Sequence, residues 1–119
     1  MKILWMSRHE PLQSQLLELK RLFGEVEVVQ ETRPFDSAEQ IAERYRKGGF
    51  DDIVIVCPLS VAARLVDLKI RPLWAVMPQV DSASKAELTM PRKNGRVDYY
   101  QFDRFCRVKA LQLELEELE

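Results

Sequence analysis

Histidine occurs once in this 119-residue chain, as His9, and cysteine only twice, as Cys57 and Cys106 with no CxxC spacing. A Cys/His metal centre needs several such ligands at short spacing, so no metal site is expected. A chain of this length buries enough surface to fold without a disulfide or a structural metal. An excess of charge of one sign is also missing: 18 Lys+Arg stand against 19 Asp+Glu, a formal net charge of -1. Coating long nucleic acid requires a broad basic surface, so that role is excluded, although a small basic pocket is not. The apolar stretch at residues 3–6 is too short for a signal-peptide core or a membrane span, which makes a cytoplasmic protein without a membrane partner the expectation. Neither GxGxxG nor a Walker A pattern occurs, and the adjacent glycines Gly48 and Gly49 fall at a helix end. Nicotinamide and ATP-hydrolysing roles therefore have little support, and no cofactor is expected. Repeats, low-complexity tracts and long linkers are absent as well, so residues 1–119 read as a single domain.

What is present is strand and helix in alternation. Ile3, Leu4, Trp5 and Met6 form an apolar run, and Pro11 opens a segment with Leu12, Leu16, Leu19 and Phe23 at helical spacing, stopped by Gly24. Val26, Val28 and Val29 make a second strand, after which Ser37, with Gln40 three residues on, opens a helix carrying Ala38, Ile41, Ala42 and Tyr45 on one face. Ile53, Val54, Ile55 and Val56 are four consecutive β-branched residues and suit a central strand buried on both faces. Asp51 and Asp52 before it read as a solvated turn. Ser60 reads as the N-cap of a third helix, and Leu73 to Met77 as a fourth strand between Pro72 and Pro78.

Right-handed crossovers turn this pattern into a mainly parallel sheet with helices on both faces. The fold expected is α/β and Rossmann-like, with strand order 2-1-3-4. Further on, Asn94-Gly95 between Leu88-Thr89-Met90 and Val97-Asp98-Tyr99-Tyr100 predicts a hairpin with a two-residue turn. From 111 to 116 leucine alternates with Gln and Glu, a period of two that favours a strand. Arg104 and Arg107 are balanced by a C-terminal acidic run and read as surface charge.

Open parallel sheets bind ligands beyond the carboxyl ends of their strands, where strand order reverses. There the first strand runs into Ser7, Arg8 and His9, and the third into Cys57, Pro58, Leu59 and Ser60. The N-termini of the first and third helices are expected to point into the same crevice, which favours an anion. Arg8 offers a permanently charged fork for phosphate oxygens, and His9 a side chain able to carry a proton near neutrality. With a ribose 2′-hydroxyl as nucleophile, such a site would need only alignment, charge neutralisation and assistance to the leaving group, without metal. Ser7, Leu59 and Ser60 are the candidate ligand contacts at the strand ends, joined by Arg33 and Gln79, which follow strands two and four. The same Arg-His pair also occurs in solvated loops ahead of helices, and Trp5, Trp74 and Met77 read as core. Cys57 and Arg64 are separated by six residues, where the phosphatase loop requires five. A phosphoacceptor receiver would need acidic residues where Ser7, Arg8 and Cys57 stand.

Met6-Ser7-Arg8-His9, followed by the run from Asp52 through Cys57-Pro58-Leu59-Ser60 to Ala63, resembles the small Rossmann-like CRISPR-associated proteins that include ring nucleases. The resemblance covers about the first 80 residues. It implies a homodimer that cuts cyclic oligoadenylate without metal to switch off antiviral signalling, with Ser7, Arg8, His9 and the turn from Pro58 to Ser60 at the ligand. Two-fold symmetry in such a ring suits a site shared by two subunits. Two other classes stay open: a non-catalytic nucleotide sensor using the same crevice, and an interaction protein presenting the leucines of residues 111–115.

Overall fold

A computed structural model of the protein describes residues 1–111 and 115–118. The elements run β1 (Lys2–Met6), α1 (Gln13–Phe23), β2 (Glu27–Gln30), α2 (Ala38–Lys47), β3 (Asp52–Ile55), α3 (Leu59–Asp67), β4 (Leu73–Val76), β5 (Gln79–Val80), β6 (Leu88–Pro91), β7 (Val97–Tyr100) and β8 (Arg104–Arg107). The main sheet has the order β2-β1-β3-β4-β8. Strands β2, β1, β3 and β4 are parallel, in the 2-1-3-4 order that the sequence pattern implies, and β8 adds an antiparallel edge beside β4.

Side chains of β1 and β3 point alternately to the two sheet faces, and each set meets its own helices. Leu4, Met6, Ile53 and Ile55 pack with Ile41 of α2 and Leu65 of α3. Ile3, Trp5 and Val54 pack with Leu19 of α1 and, more peripherally, Phe105 of β8. All four residues of β3 are buried, which accounts for its run of β-branched side chains. The α1 contact line differs from the leucine spacing: Leu16 is 39% exposed and Gln15 is buried in its stead. The Gln15 amide tolerates burial because both its ends are engaged: Oε1 accepts from the Leu12 N–H at 2.8 Å and Nε2 donates to the Met77 sulfur at 3.5 Å.

Ser37 caps α2 as expected, its hydroxyl accepting from the Gln40 N–H. Ser60 does not cap α3. That helix starts two residues earlier, with Pro58 at the N-cap, its carbonyl accepting from the N–H groups of Val61 and Ala62. Proline's fixed φ presets the entry, which leaves Ser60 inside the exposed first turn.

Strands β5, β7 and β6 form a second, three-stranded antiparallel sheet. The predicted hairpin is β6–β7, but its loop is wider than two residues. The Arg92 N–H donates to the Arg96 carbonyl at 2.7 Å, and a turn closes from the Gly95 N–H to the Arg92 carbonyl. Gly95 has φ +83°, the left-handed residue of a three-residue loop. A methyl group there meets no atom within 4 Å, so Gly95→Ala is expected to cost about 1 kcal/mol through backbone strain alone. Faster amide exchange confined to β6–β7 would report it, and unchanged exchange would refute it. The two sheets share one bent ribbon: the β4–β8 pairing continues past Pro78 into β5–β7, through the Asp103 N–H on the Val76 carbonyl and the Gln101 N–H on the Pro78 carbonyl.

Two readings of charged residues need correction. Asp52 is not in a solvated turn but heads β3, 6% exposed. Arg107 is not free surface charge: its guanidinium grips Asp52 with two bonds of 2.7 and 2.8 Å and donates to the Arg71 carbonyl. The strand expected over residues 111–116 lies partly outside the described residues; Leu111, Leu115 and Glu116 are exposed and in no strand. Among the described residues, no helix is long and apolar enough to cross a membrane.

Candidate functional site

A cavity of about 530 Å3 opens between the carboxyl ends of β1, β3 and β4 and the inner face of the small sheet. Its walls are largely aromatic and apolar: Trp5 and Trp74 from the main sheet, Met77 at the bend of the ribbon, and Leu88, Met90 and Tyr100 from the hairpin. Leu88 pairs with Tyr100 and Met90 with Asp98 across β6–β7, so these four share one face of the hairpin. A latch ties the small sheet to α1, in which the Ser14 hydroxyl donates to the Glu87 carboxylate while that carboxylate accepts from the Phe102 N–H. A wider and more open trough of about 800 Å3 lies near the amino ends of β1, β2 and β3, lined by Lys2, Leu16, Lys20 and Asp51. It contains neither aromatic walls nor the histidine.

Of the residues singled out in the sequence, Ser7 and His9 line the aromatic cavity. Their loop is pinned by the chain around it. The Trp5 indole N–H donates to the His9 carbonyl at 3.0 Å, the His9 N–H to the Ser7 hydroxyl at 3.2 Å, and the Gln30 amide to the Ser7 carbonyl at 3.1 Å. Arg8 is not in this cavity. It lines a neighbouring one of about 310 Å3 with Arg33, on the side of Met6 and Phe35, and only Ser7 and Val56 border both. The separation follows from strand geometry: Trp5, Ser7 and His9 leave β1 toward the α1 side, whereas Met6 and Arg8 leave it toward the α2 side.

Leu59 and Ser60 are exposed at the start of α3 and line neither cavity. The first turn of α3 therefore does not border the aromatic cavity, while Leu12 and Gln15, at the start of α1, do. Gln79 stands one step back, its amide donating to the Asp98 carboxylate at 3.1 Å. Asp98 itself borders the cavity and also accepts from Arg92. Burial pushes the Cys57 thiol up from its ordinary pKa, which suits a packing role and not a nucleophile.

Trp74, Met77, Tyr100 and Asp98 are among the cavity residues that the sequence pattern does not assign to it, whereas Arg92, one of several basic residues that could line the rim, does border it. Trp74 and Met77 do flank the end of the fourth strand, the one local signal available. The hairpin residues carry no such signal, because only the bent ribbon brings them over the strand ends.

Glu31 is the most perturbed carboxylate near these cavities. Hydrogen bonds from Arg33, chiefly from its guanidinium, hold its pKa at about 2 against the opposing effect of burial. A carboxylate with a depressed folded pKa stabilises the fold above its ordinary range and loses that contribution as pH falls toward 2. Carboxyl titration by NMR should place the Glu31 midpoint near 2, and Arg33→Gln should return it to the ordinary glutamate range. An unshifted midpoint in the native chain would refute the pairing.

No protein-family model matches the chain, and neither characterised proteins nor solved structures yield a match.

Proposed function

We propose that the protein is a cytoplasmic, metal-independent phosphodiesterase of the ring-nuclease kind, which binds a cyclic oligoadenylate in the aromatic cavity and opens it. The observation that carries this reading is the pinned loop that sets the only histidine on the rim of a tryptophan-lined cavity at the point where strand order reverses. Aromatic walls suit stacked bases. In the reaction, a ribose 2′-oxygen attacks the adjacent phosphorus, the P–O5′ bond breaks, and the proton leaving the 2′-hydroxyl is balanced by one delivered to the 5′-oxygen. His9 mediates that proton movement, and Arg92 in this cavity and Arg8 in the adjoining one offer guanidinium groups to phosphate oxygens. Two subunits related by a two-fold axis would present two such cavities to one ring.

A second reading has an observation of its own. Arg8 and His9 occupy different cavities, so the chain holds the ring's phosphate and a proton carrier apart, as a sensor that binds without cutting would. Incubation with cyclic tetra-adenylate in chelator, with chromatography of the products, separates the two. Linear products ending in a cyclic phosphate support the enzyme; tight binding with the ring intact leaves the sensor; absence of both overturns the nucleotide reading.

A further inference from the structure

The cavity beside Arg8 has chemistry of its own. Arg8 lines it and makes no ion pair among the described residues. Arg33, 71% exposed, lines it too and already holds a two-oxygen anion in the manner a phosphate would adopt: Nε bonds one Glu31 oxygen at 2.9 Å and the terminal nitrogen bonds the other at 2.8 Å. Arg44 braces the loop from behind, donating to the carbonyls of Arg33 and Pro34. Two guanidinium groups, Arg33 and Arg44, thus act on the Glu31 carboxylate, and Arg8 lines the same cavity, within a chain whose net charge is -1. Val56, at the end of β3, is 67% exposed on the ridge between this cavity and the aromatic one.

Building on the phosphodiester reading of the neighbouring cavity, we propose that the Arg8–Arg33 cavity is a second subsite for a phosphoryl anion, and that Glu31 is its built-in competitor. The ligand's phosphate displaces the Glu31 carboxylate from the Arg33 fork and takes Arg8 as a further partner. A ligand filling both cavities crosses the ridge and covers Val56, so it has at least two phosphate-linked units. Glu31 keeps the loop ordered and the fork oriented while the site is empty, at the cost of competing with the ligand. The chemistry is shared by free polyphosphate and by an internucleotide phosphate, so the test uses both.

Calorimetry on the full chain at low ionic strength, with inorganic pyrophosphate as one probe and cyclic tetra-adenylate as the other, decides the matter. Arg8→Ala is expected to weaken pyrophosphate about tenfold, the loss of one charge-assisted contact, and Glu31→Gln to tighten it severalfold. Arg33→Ala, with or without Glu31→Gln, should show the same weak binding, because the competitor matters only when its fork is present. If pyrophosphate shows this pattern and the ring does not bind, the subsite stands as a polyphosphate site and the nucleotide reading falls. If the ring binds but neither Arg8→Ala nor Glu31→Gln alters its affinity, the subsite is overturned and the nucleotide reading survives. Binding of neither probe overturns both. Circular dichroism of each variant identifies loss of fold, and in that event Arg8→Lys, which keeps the charge but not the fork, replaces Arg8→Ala.

Discussion

His9→Ala should lower the rate of ring opening by about 10²- to 10⁴-fold, the range in which a positioned proton carrier contributes. The dissociation constant of the intact ring should change far less, because the partly exposed aromatic walls at Trp74 and Tyr100 remain in place. The separation of the two effects matters. His9 is pinned through its main chain, by the Trp5 indole and the Ser7 hydroxyl, so removing the imidazole leaves the loop's anchors intact. A loss of binding as large as the loss of rate would assign His9 to ligand contact alone. An unchanged rate would remove it from the mechanism.

Asp52→Ala is expected to destabilise the fold by about 2–3 kcal/mol. Removing one partner of a buried ion pair costs about 3–5 kcal/mol when the survivor is fully enclosed. Arg107 keeps 38% of its side chain in solvent, which moves the value down. Asp52 makes more than the pair, since one of its oxygens also accepts from the Ile53 N–H. Replacing both partners by leucine should recover most of the loss, because it strands no charge. Urea denaturation of the two variants checks this. Equal destabilisation in both would show that packing at the head of β3 matters, and not the uncompensated arginine.

The centre of the parallel sheet was legible because β1 and β3 are buried on both faces. Nothing but a run such as Ile53 to Ile55 satisfies that environment, and turn and helix signals separate the runs cleanly. Strand β8 was illegible for the opposite reason. It is an edge strand of four residues in which only Phe105 is even half-buried, so it has no periodic pattern to detect. The exchange of Leu16 for Gln15 could not be read either, since a glutamine enters the interior only when Leu12 and Met77 supply its partners, and one of those is 62 residues away. At the strand ends, the rule pointed to Ser7 and His9, which line the aromatic cavity. It could not say that the next-door residue, Arg8, falls on the other side of the sheet, although alternation along β1 contains that information. The hairpin wall was out of reach, because it depends on a bend at Met77 and Pro78 with no sequence counterpart in the first four strands.

The antiparallel β8 also sets an order of events during synthesis. Asp52 enters β3 near the middle of the chain, while the arginine that neutralises it arrives 55 residues later. Until residues 104–107 have left the ribosome, β4 is an open edge and the carboxylate at the head of β3 lacks its arginine. A chain halted before Arg104 therefore leaves the β4 edge unpaired and the Asp52–Arg107 pair unmade. Strand β8 thus couples the stability of β3 and β4 to a segment that lies 55 residues beyond Asp52.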